Sequence, residues 1–200
     1  ESNQRAGGLV ASMAGGTIRQ SWTAAVVRAQ SSGQTIAVGG LVGSMVGNNA
    51  KQIIQSYSLG PVIDASGIYA GGLVGDVSDG STLTISESYS ASYVQTRSGA
   101  GGALVSVVRT APATITDSWF DKDVSGVSAV SPSSHYNTDL NDDPALNLGK
   151  STAELQQGLP DNWDPDVWGI IPGTSYPYLK WAFEGTPQVV SGIFHDTAVG

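Results

Sequence analysis

AGGLVASM (6–13), VGGLVGSM (38–45), AGGLVGDV (70–77) and AGGALVSV (100–107) are four near-copies of one phrase. Their leading glycines, Gly7, Gly39, Gly71 and Gly101, are 32, 32 and 30 residues apart. A second phrase follows each at a near-constant distance: SWTA from Ser21, SYSL from Ser56, SYSA from Ser88 and SWFD from Ser118. Self-similarity at a period of about 20–50 residues marks a solenoid or array, in which no unit buries its apolar face alone.

Each repeat carries three apolar beats. The first is the Gly-Gly-Leu-Val phrase, with Leu9, Leu41 and Leu73 at one position. The second is an alternating stretch ending on an aromatic, such as Thr17-Ile18-Arg19-Gln20-Ser21-Trp22 or Leu83-Thr84-Ile85-Ser86-Glu87-Ser88-Tyr89. The third is a valine five residues beyond the aromatic: Val27, Val62, Val94 and Val124. Alternation rich in β-branched and aromatic residues argues strand. Three short strands per repeat predict a right-handed parallel β-helix of about four coils over 6–120, each adding about 4.8 Å of height. The expected inward residues are Leu9, Leu41, Leu73, Ile18, Ile54, Ile85, Ile115, Val62, Val94 and Val124. Ser32-Gly33, Gly47-Asn48-Asn49 and Asp79-Gly80 are the expected corners. A β-prism or sandwich with hairpin-paired repeats is the alternative. Four glycine pairs at a fixed period, with no GxGxxG or GxxxxGK[ST] pattern, indicate packing and turning in place of phosphate binding. Trp22, Tyr57, Tyr89 and Trp119 share one repeat position and should stack, either as a core ladder or as an exposed stripe for sugars.

Beyond the repeats, which fill 1–124, the text changes. The span 125–150 is rich in Ser, Asp, Asn and Pro and reads as an exposed excursion. Ser151-Thr152-Ala153-Glu154 is a capping box that opens a short helix from Thr152 to about Gln157. An aromatic cluster follows, giving 151–183 the composition of a cap over the last coil. The span 184–200 reads as strand or linker leading to the next domain of a longer protein. The opening on Glu1, with no charged-then-apolar leader, likewise reads as a fragment of something longer.

At 40% hydrophobic and 13% charged, the chain has enough apolar residues for a core and few charges for its surface. A net charge of −8 repels phosphate backbones and argues against nucleic acid as a partner. There is no cysteine, which excludes disulfides and thiolate chemistry. No apolar run is long enough to span a bilayer, so no membrane insertion is expected of this segment.

GGLVG followed by I-x-x-SYS and then a valine resembles the GLUG repeat of bacterial surface and secreted proteins. These include filamentous-haemagglutinin-like adhesins of two-partner secretion, autotransporter-type adhesins and immunoglobulin A peptidases. The downstream wording is similar too: Trp119-Phe120-Asp121-Lys122-Asp123, then Trp163-Asp164, Trp168-Gly169-Ile170 and Tyr176-Pro177-Tyr178-Leu179-Lys180-Trp181. The resemblance runs from about Ala6 to Trp181. It implies a solenoid scaffold, export to the cell surface and no catalytic residues, since the repeat is a scaffold even in the peptidases. The copies at each end depart from the pattern, with Ala11 for the last glycine in the first and GGALVS in the fourth.

Chemistry-bearing patterns are sparse. His135 and His195 lie in no zinc-like spacing. No GxSxG elbow is present. Carboxylate pairs such as Asp121 with Asp123, Asp142 with Asp143, or Asp161, Asp164 and Asp166 are the residues a β-helix lyase or glycosidase would use, and equally the residues of solvated turns. Calcium, which prefers hard oxygen ligands, would fall on Asp121 and Asp123 or on Asp139, Asp142 and Asp143. Glycan contact would fall on Trp163, Trp168, Tyr176 and Trp181. No catalytic residue is assigned. The expected function is a structural or adhesive segment of an exported bacterial surface protein that contacts a host-cell, matrix or polysaccharide receptor. A glycan-binding module is the alternative, and a carbohydrate-active enzyme stands third. A chain ending at Gly149 should lose its cap and aggregate, or melt earlier than the full chain in a thermal scan.

Overall fold

The structure is a computed structural model that describes residues 4–29, 37–64, 69–78, 80–97, 101–109, 113–127, 133–134 and 148–187. The chain divides into two compact units, Glu1–Thr152 and Ala153–Gly200.

The first unit is a parallel β-solenoid. Coil 1 holds β1 (Arg5–Gly7), β2 (Val10–Met13), β3 (Gly16–Arg19), β4 (Trp22–Thr23) and β5 (Val27–Ala29). Coil 2 repeats them as β6 (Ala37–Gly39), β7 (Val42–Met45), β8 (Ala50–Ile54), β9 (Tyr57–Ser58) and β10 (Val62–Asp64). Coil 3 holds β11 (Tyr69–Gly71), β12 (Val74–Val77), β13 (Thr82–Ser86), β14 (Tyr89–Ser90) and β15 (Val94–Thr96). Coil 4 supplies β16 (Gly101–Gly102), β17 (Val105–Val108), β18 (Ala113–Thr116) and β19 (Trp119–Asp121). Three five-strand turns are thus complete and a fourth carries four strands. Within the span read as an excursion, β20 (Ser133–Ser134) extends the β2-β7-β12-β17 sheet and β21 (Gly149–Lys150) extends the β4-β9-β14-β19 sheet.

Every pairing among these strands is parallel and joins equivalent repeat positions. The fourth repeat is offset by one residue from the sequence alignment. Gly71 pairs with Gly102 and Ala70 with Gly101, so the step is 31 residues, not 30. The reason is steric. A Cβ on Gly39, Gly71 or Gly102 would lie within 1.9 Å of the carbonyl oxygen three residues on, in Val42, Val74 or Val105. Only glycine closes that arch. The second glycine answers to the next coil, since a Cβ at Gly40 would sit 2.1 Å from the Gly72 carbonyl oxygen and one at Gly72 2.1 Å from that of Ala103. Ala103 stands at this position in the last of the four arches.

The arch also explains why each coil has five strands where three were expected. It carries the chain from one apolar chamber to another. A small chamber holds Val27, Ala29, Val38, Val62, Ala70 and Val94. The larger one is built on Leu41, Leu73, Leu104, Ile53, Ile85 and Phe120. Each fully buried leucine contributes roughly 1.5–3 kcal/mol.

Three expected inward residues are corrected. Leu9 is 44% exposed, whereas Leu41, Leu73 and Leu104 are fully buried, because no described coil lies in front of coil 1. Ile53, not Ile54, pairs with Ile85 and fills the core, so the Ile-Ile pair is read one residue out of phase. Val124 lies half-buried in a turn after β19, and Val127 packs against the apolar chambers instead. Of the expected corners, Gly47 and Gly80 have φ of 72° and 77°, and Ser32-Gly33 lies outside the described residues.

The Ser-aromatic phrase forms the second constant corner. Gln20, Gln55, Glu87 and Asp117 have φ of 45–52°, a left-handed turn in non-glycine residues. Just beyond each lies the repeat serine, whose hydroxyl donates to the carbonyl two residues back at 2.7–2.8 Å. The hydroxyls of Ser56, Ser88 and Ser118 accept the backbone N–H of Ser21, Ser56 and Ser88 in turn, at 3.1–3.2 Å. The aromatics then stack, Trp22 on Tyr57 at 5.7 Å and Tyr57 on Tyr89 at 5.0 Å, with Trp119 in register. Tyr57 and Tyr89 are buried, which makes this the core ladder and not a sugar stripe.

The second unit contains most of α1 (Thr152–Gln157), which has the expected span, and a short antiparallel pair, β22 (Trp168–Gly169) with β23 (Tyr178–Leu179). Among the described residues no helix is long and apolar enough to cross a membrane.

Replacing Ser88 with Ala should leave the Ser56 N–H without its acceptor and cost about 1–3 kcal/mol. Chemical denaturation of Ser88→Ala against the parent measures this. The exposed Thr82→Ala on the neighbouring strand should stay within about 0.5 kcal/mol.

Candidate functional site

The proposed calcium ligands divide between described and undescribed residues. Asp121 is fully buried at the end of β19. Its Oδ1 accepts the N–H groups of Asp123 and Val124 at 2.8 and 3.1 Å, and its Oδ2 accepts the Thr152 hydroxyl at 2.6 Å. Asp123 is exposed and accepts the Thr152 N–H at 3.0 Å. The two carboxylates thereby close the turn after β19 and hold Thr152. Asp139, Asp142 and Asp143 lie outside the described residues, as do His135 and His195. Among the described residues no three His, Cys, Asp or Glu side chains gather in a metal-binding arrangement. Asp161, Asp164 and Asp166 border a turn in which Asp164 Oδ1 accepts the Asp166 N–H.

The proposed glycan contacts divide by burial. Trp163 and Trp168 are buried and packed ring to ring at 4.4 Å, so neither offers a face to a ligand. Tyr176 is half-buried. Trp181 is 63% exposed, on a single 3-10 turn (Lys180–Ala182) that follows β23. Beside that turn Phe183 is 37% exposed and meets Tyr178 edge-on at 5.4 Å. Trp181 and Phe183 are the exposed rings among the described residues of this unit, and Tyr178 is half-buried. Phe183 and Tyr178 were not singled out in the sequence, where six rings in close succession give no sign of which turn outward.

Two ionic centres, one buried and one half-buried, escaped sequence reading altogether. Lys51 is 1% exposed. It pairs with Leu83 across β8 and β13, so its alkyl stem lies along the apolar wall. Its ammonium donates to the carbonyls of Gly47 and Asn49 at 2.7 and 2.6 Å and to Ser81 Oγ at 3.0 Å. Burial pushes its pKa below the usual 10.5. A lysine at 3 Å from a serine hydroxyl has the spacing of a base and a nucleophile. Here Ser81 is sealed and its hydroxyl donates to the Gly47 carbonyl at 2.7 Å. The pair therefore fastens the left-handed corner at Gly47. In the other centre, Asp76 accepts from Arg109 Nε at 3.0 Å, from Ser44 Oγ at 3.1 Å and from Ser78 Oγ at 3.2 Å. Arg109 lies over the Tyr69 ring at 5.3 Å. Burial lowers the Arg109 pKa, but the charge of Asp76 and their hydrogen bond outweigh that and raise it. The pair ties coil 3 to coil 4.

No family model matches the chain, and comparison with curated proteins gives no significant sequence match. Among solved structures it is similar to a Bacteroides ovatus protein described as a "putative immunoglobulin A1 protease", with a TM-score of 0.65 and 20% identity over 90% of this chain. The chain spans about half, 54%, of that protein's length. The likeness establishes the fold, a parallel β-solenoid.

Lys51→Met keeps the stem and removes the donor from three acceptors, the buried Ser81 hydroxyl among them, which should cost about 1–3 kcal/mol at neutral pH. The folded state holds the Lys51 proton less tightly than the unfolded chain does. Its contribution to stability therefore rises with pH, from the lowered pKa up to the ordinary 10.5. Unfolding titrations between pH 7 and 11 should show that rise in the parent and a smaller one in Lys51→Met.

Proposed function

We propose that this chain is a structural and adhesive segment of a large exported bacterial surface protein, related to the GLUG-repeat adhesins. The observation that carries this reading is the use to which reactive groups are put. Ser21, Ser56, Ser88 and Ser118 are hydrogen-bonded into the corner, and Lys51 and Asp76 fasten coil to coil. The outer face of the β3-β8-β13-β18 sheet presents Thr17, Gln52, Thr84 and Thr114 as one rank of small polar groups. A stack of this kind grows in length with repeat number while its cross-section stays constant, which suits a spacer that holds a binding element away from a cell. The wording of the repeats supports export. In this reading the solenoid shared with the Bacteroides ovatus protein is scaffold, and any peptidase chemistry belongs to parts of that protein outside the likeness.

Trp181 favours a second reading, a glycan-binding module. An indole that is 63% exposed beside Phe183 is the kind of ring on which a sugar face stacks.

Deletion of 1–152 from the parent protein should weaken attachment or aggregation of the producing cells, and the isolated chain should turn over no common polysaccharide. A glycan array separates the two readings. Retention of a defined sugar that is lost in Trp181→Ala establishes the module, whereas unchanged cell attachment after deletion removes the adhesive reading.

A further inference from the structure

The outer face of the β5-β10-β15 sheet carries a charge opposite to that of the whole chain. Arg28, Ile63 and Gln95 stand in register across its three strands, each beside a valine that fills the small chamber. A second outward rank, Val26, Pro61 and Tyr93, lies just ahead of those valines. The Pro61 carbonyl accepts the Val27 N–H at 2.9 Å and the Tyr93 carbonyl accepts the Val62 N–H at 2.8 Å. Tyr93 is 43% exposed, whereas the ladder rings Tyr57 and Tyr89 are buried. Arg97, two residues beyond Gln95, is exposed as well.

No carboxylate answers the two arginines. The acids among the described residues of 4–97 are Asp64, Asp76 and Glu87. Asp64 is fully buried beside the outward Ile63, Asp76 is taken by Arg109, and Glu87 accepts from Gln55 at the serine corner. Among the described residues neither Arg28 nor Arg97 is in an ion pair. Two arginines and no acid make this face positive in a chain that carries −8. The Tyr93 ring is also seated in advance. Its edge lies against the backbone of Gly126, where a Cβ would come within 2.8 Å of Cε2, and Gly126 has a φ of 70°. A ring held in this way loses little freedom when a ligand arrives.

We propose that this face binds an acidic polysaccharide built of uronate sugars. Tyr93 stacks on the apolar face of one sugar ring, and the Gln95 amide bonds its hydroxyls. Arg28 and Arg97 pair with carboxylates, whose planar geometry the guanidinium matches. Arg28 and Gln95 lie two strand spacings apart, about 9.6 Å, so the two arginines serve different sugars of one chain. The site lies flat on the sheet and not along an edge, so a peptide would find no main-chain partners there. It is separate from Trp181 and stands whether or not the chain is adhesive.

Affinity electrophoresis and calorimetry of the full chain with polygalacturonate and with alginate test the site. At least one should bind, more weakly as salt is raised, and fully methyl-esterified polygalacturonate should not bind. Tyr93→Ala, and Arg28→Gln combined with Arg97→Gln, should each weaken binding by roughly tenfold, while Tyr93→Phe keeps the ring and stays within about twofold of the parent. Arg5→Gln combined with Arg19→Gln removes the same charge elsewhere and should also stay within about twofold, as should Trp181→Ala. Retention of neither polyuronate overturns the site, and so does equal binding of the methyl ester. A loss in the Arg5 and Arg19 pair as large as that in the Arg28 and Arg97 pair overturns it too, since charge alone would then suffice. Equal retention of polyglutamate overturns the choice of a sugar ligand. A loss in Trp181→Ala with Tyr93→Ala unchanged overturns this site and leaves the glycan reading of Trp181 standing.

Discussion

A serine hydroxyl that donates backwards to its own strand and accepts an N–H from the coil before it holds this fold together. The backbone must turn sharply at 20, 55, 87 and 117, and there the strand-to-strand ladder would otherwise lapse. A left-handed turn in an ordinary L-residue costs about 1–2 kcal/mol. The serine bonds offset it by pairing buried groups that the turn would leave open. Side-chain amides add to the effect, with Gln20 Nε2 donating to Gln55 Oε1 and Gln55 Nε2 to Glu87 Oε2, both at 3.1 Å. Hydrogen bonding thus continues around the bend, and the rings beyond it are delivered into register.

Each of the two constant corners uses a different solution to the same problem. At the arch, glycine removes the Cβ so that backbone can touch backbone. At the serine corner the side chain stays and completes the hydrogen bonding. Between them the chain can pass from the small chamber to the large one, and the result is a wall buried on both faces: Val42 to Met45, Val74 to Val77 and Val105 to Val108 are buried at every residue.

That wall explains what could and could not be read from the residues. The repeat, the parallel stacking, the Gly-Gly arch, the aromatic ladder and the short helix were legible because each depends on a residue type recurring at a fixed place. The five-strand coil was not. Most strands have only two to four residues, some buried on both faces, and these leave no alternating pattern to count. The Ile53-Ile54 pair offers two equal candidates for one inward position, and only pairing with Ile85 decides between them. The fourth repeat begins with two glycines in either of two registers, and the choice rests on a clash with the Val105 carbonyl that no sequence displays. Lys51 was invisible for a related reason, since a lysine reads as surface unless the acceptors waiting at its far end are known. Among the candidate ligands, Asp121 accepts the N–H groups of Asp123 and Val124 and the Thr152 hydroxyl, contacts that no spacing of carboxylates displays. The outward ring, Trp181, could not be told from its buried neighbours.

The corner between the second and third strands varies in length from coil to coil. Two residues separate Met13 from Gly16 in coil 1, four separate Met45 from Ala50 in coil 2, and four again separate Val77 from Thr82 in coil 3. The strands on either side stay in register despite this change in length. This side of the coil therefore works as a set of mounting points at a spacing of about 4.8 Å, where a loop can be exchanged or lengthened while the chassis is undisturbed. New surface chemistry can accumulate there by insertion, one coil at a time, without the fold having to be solved again.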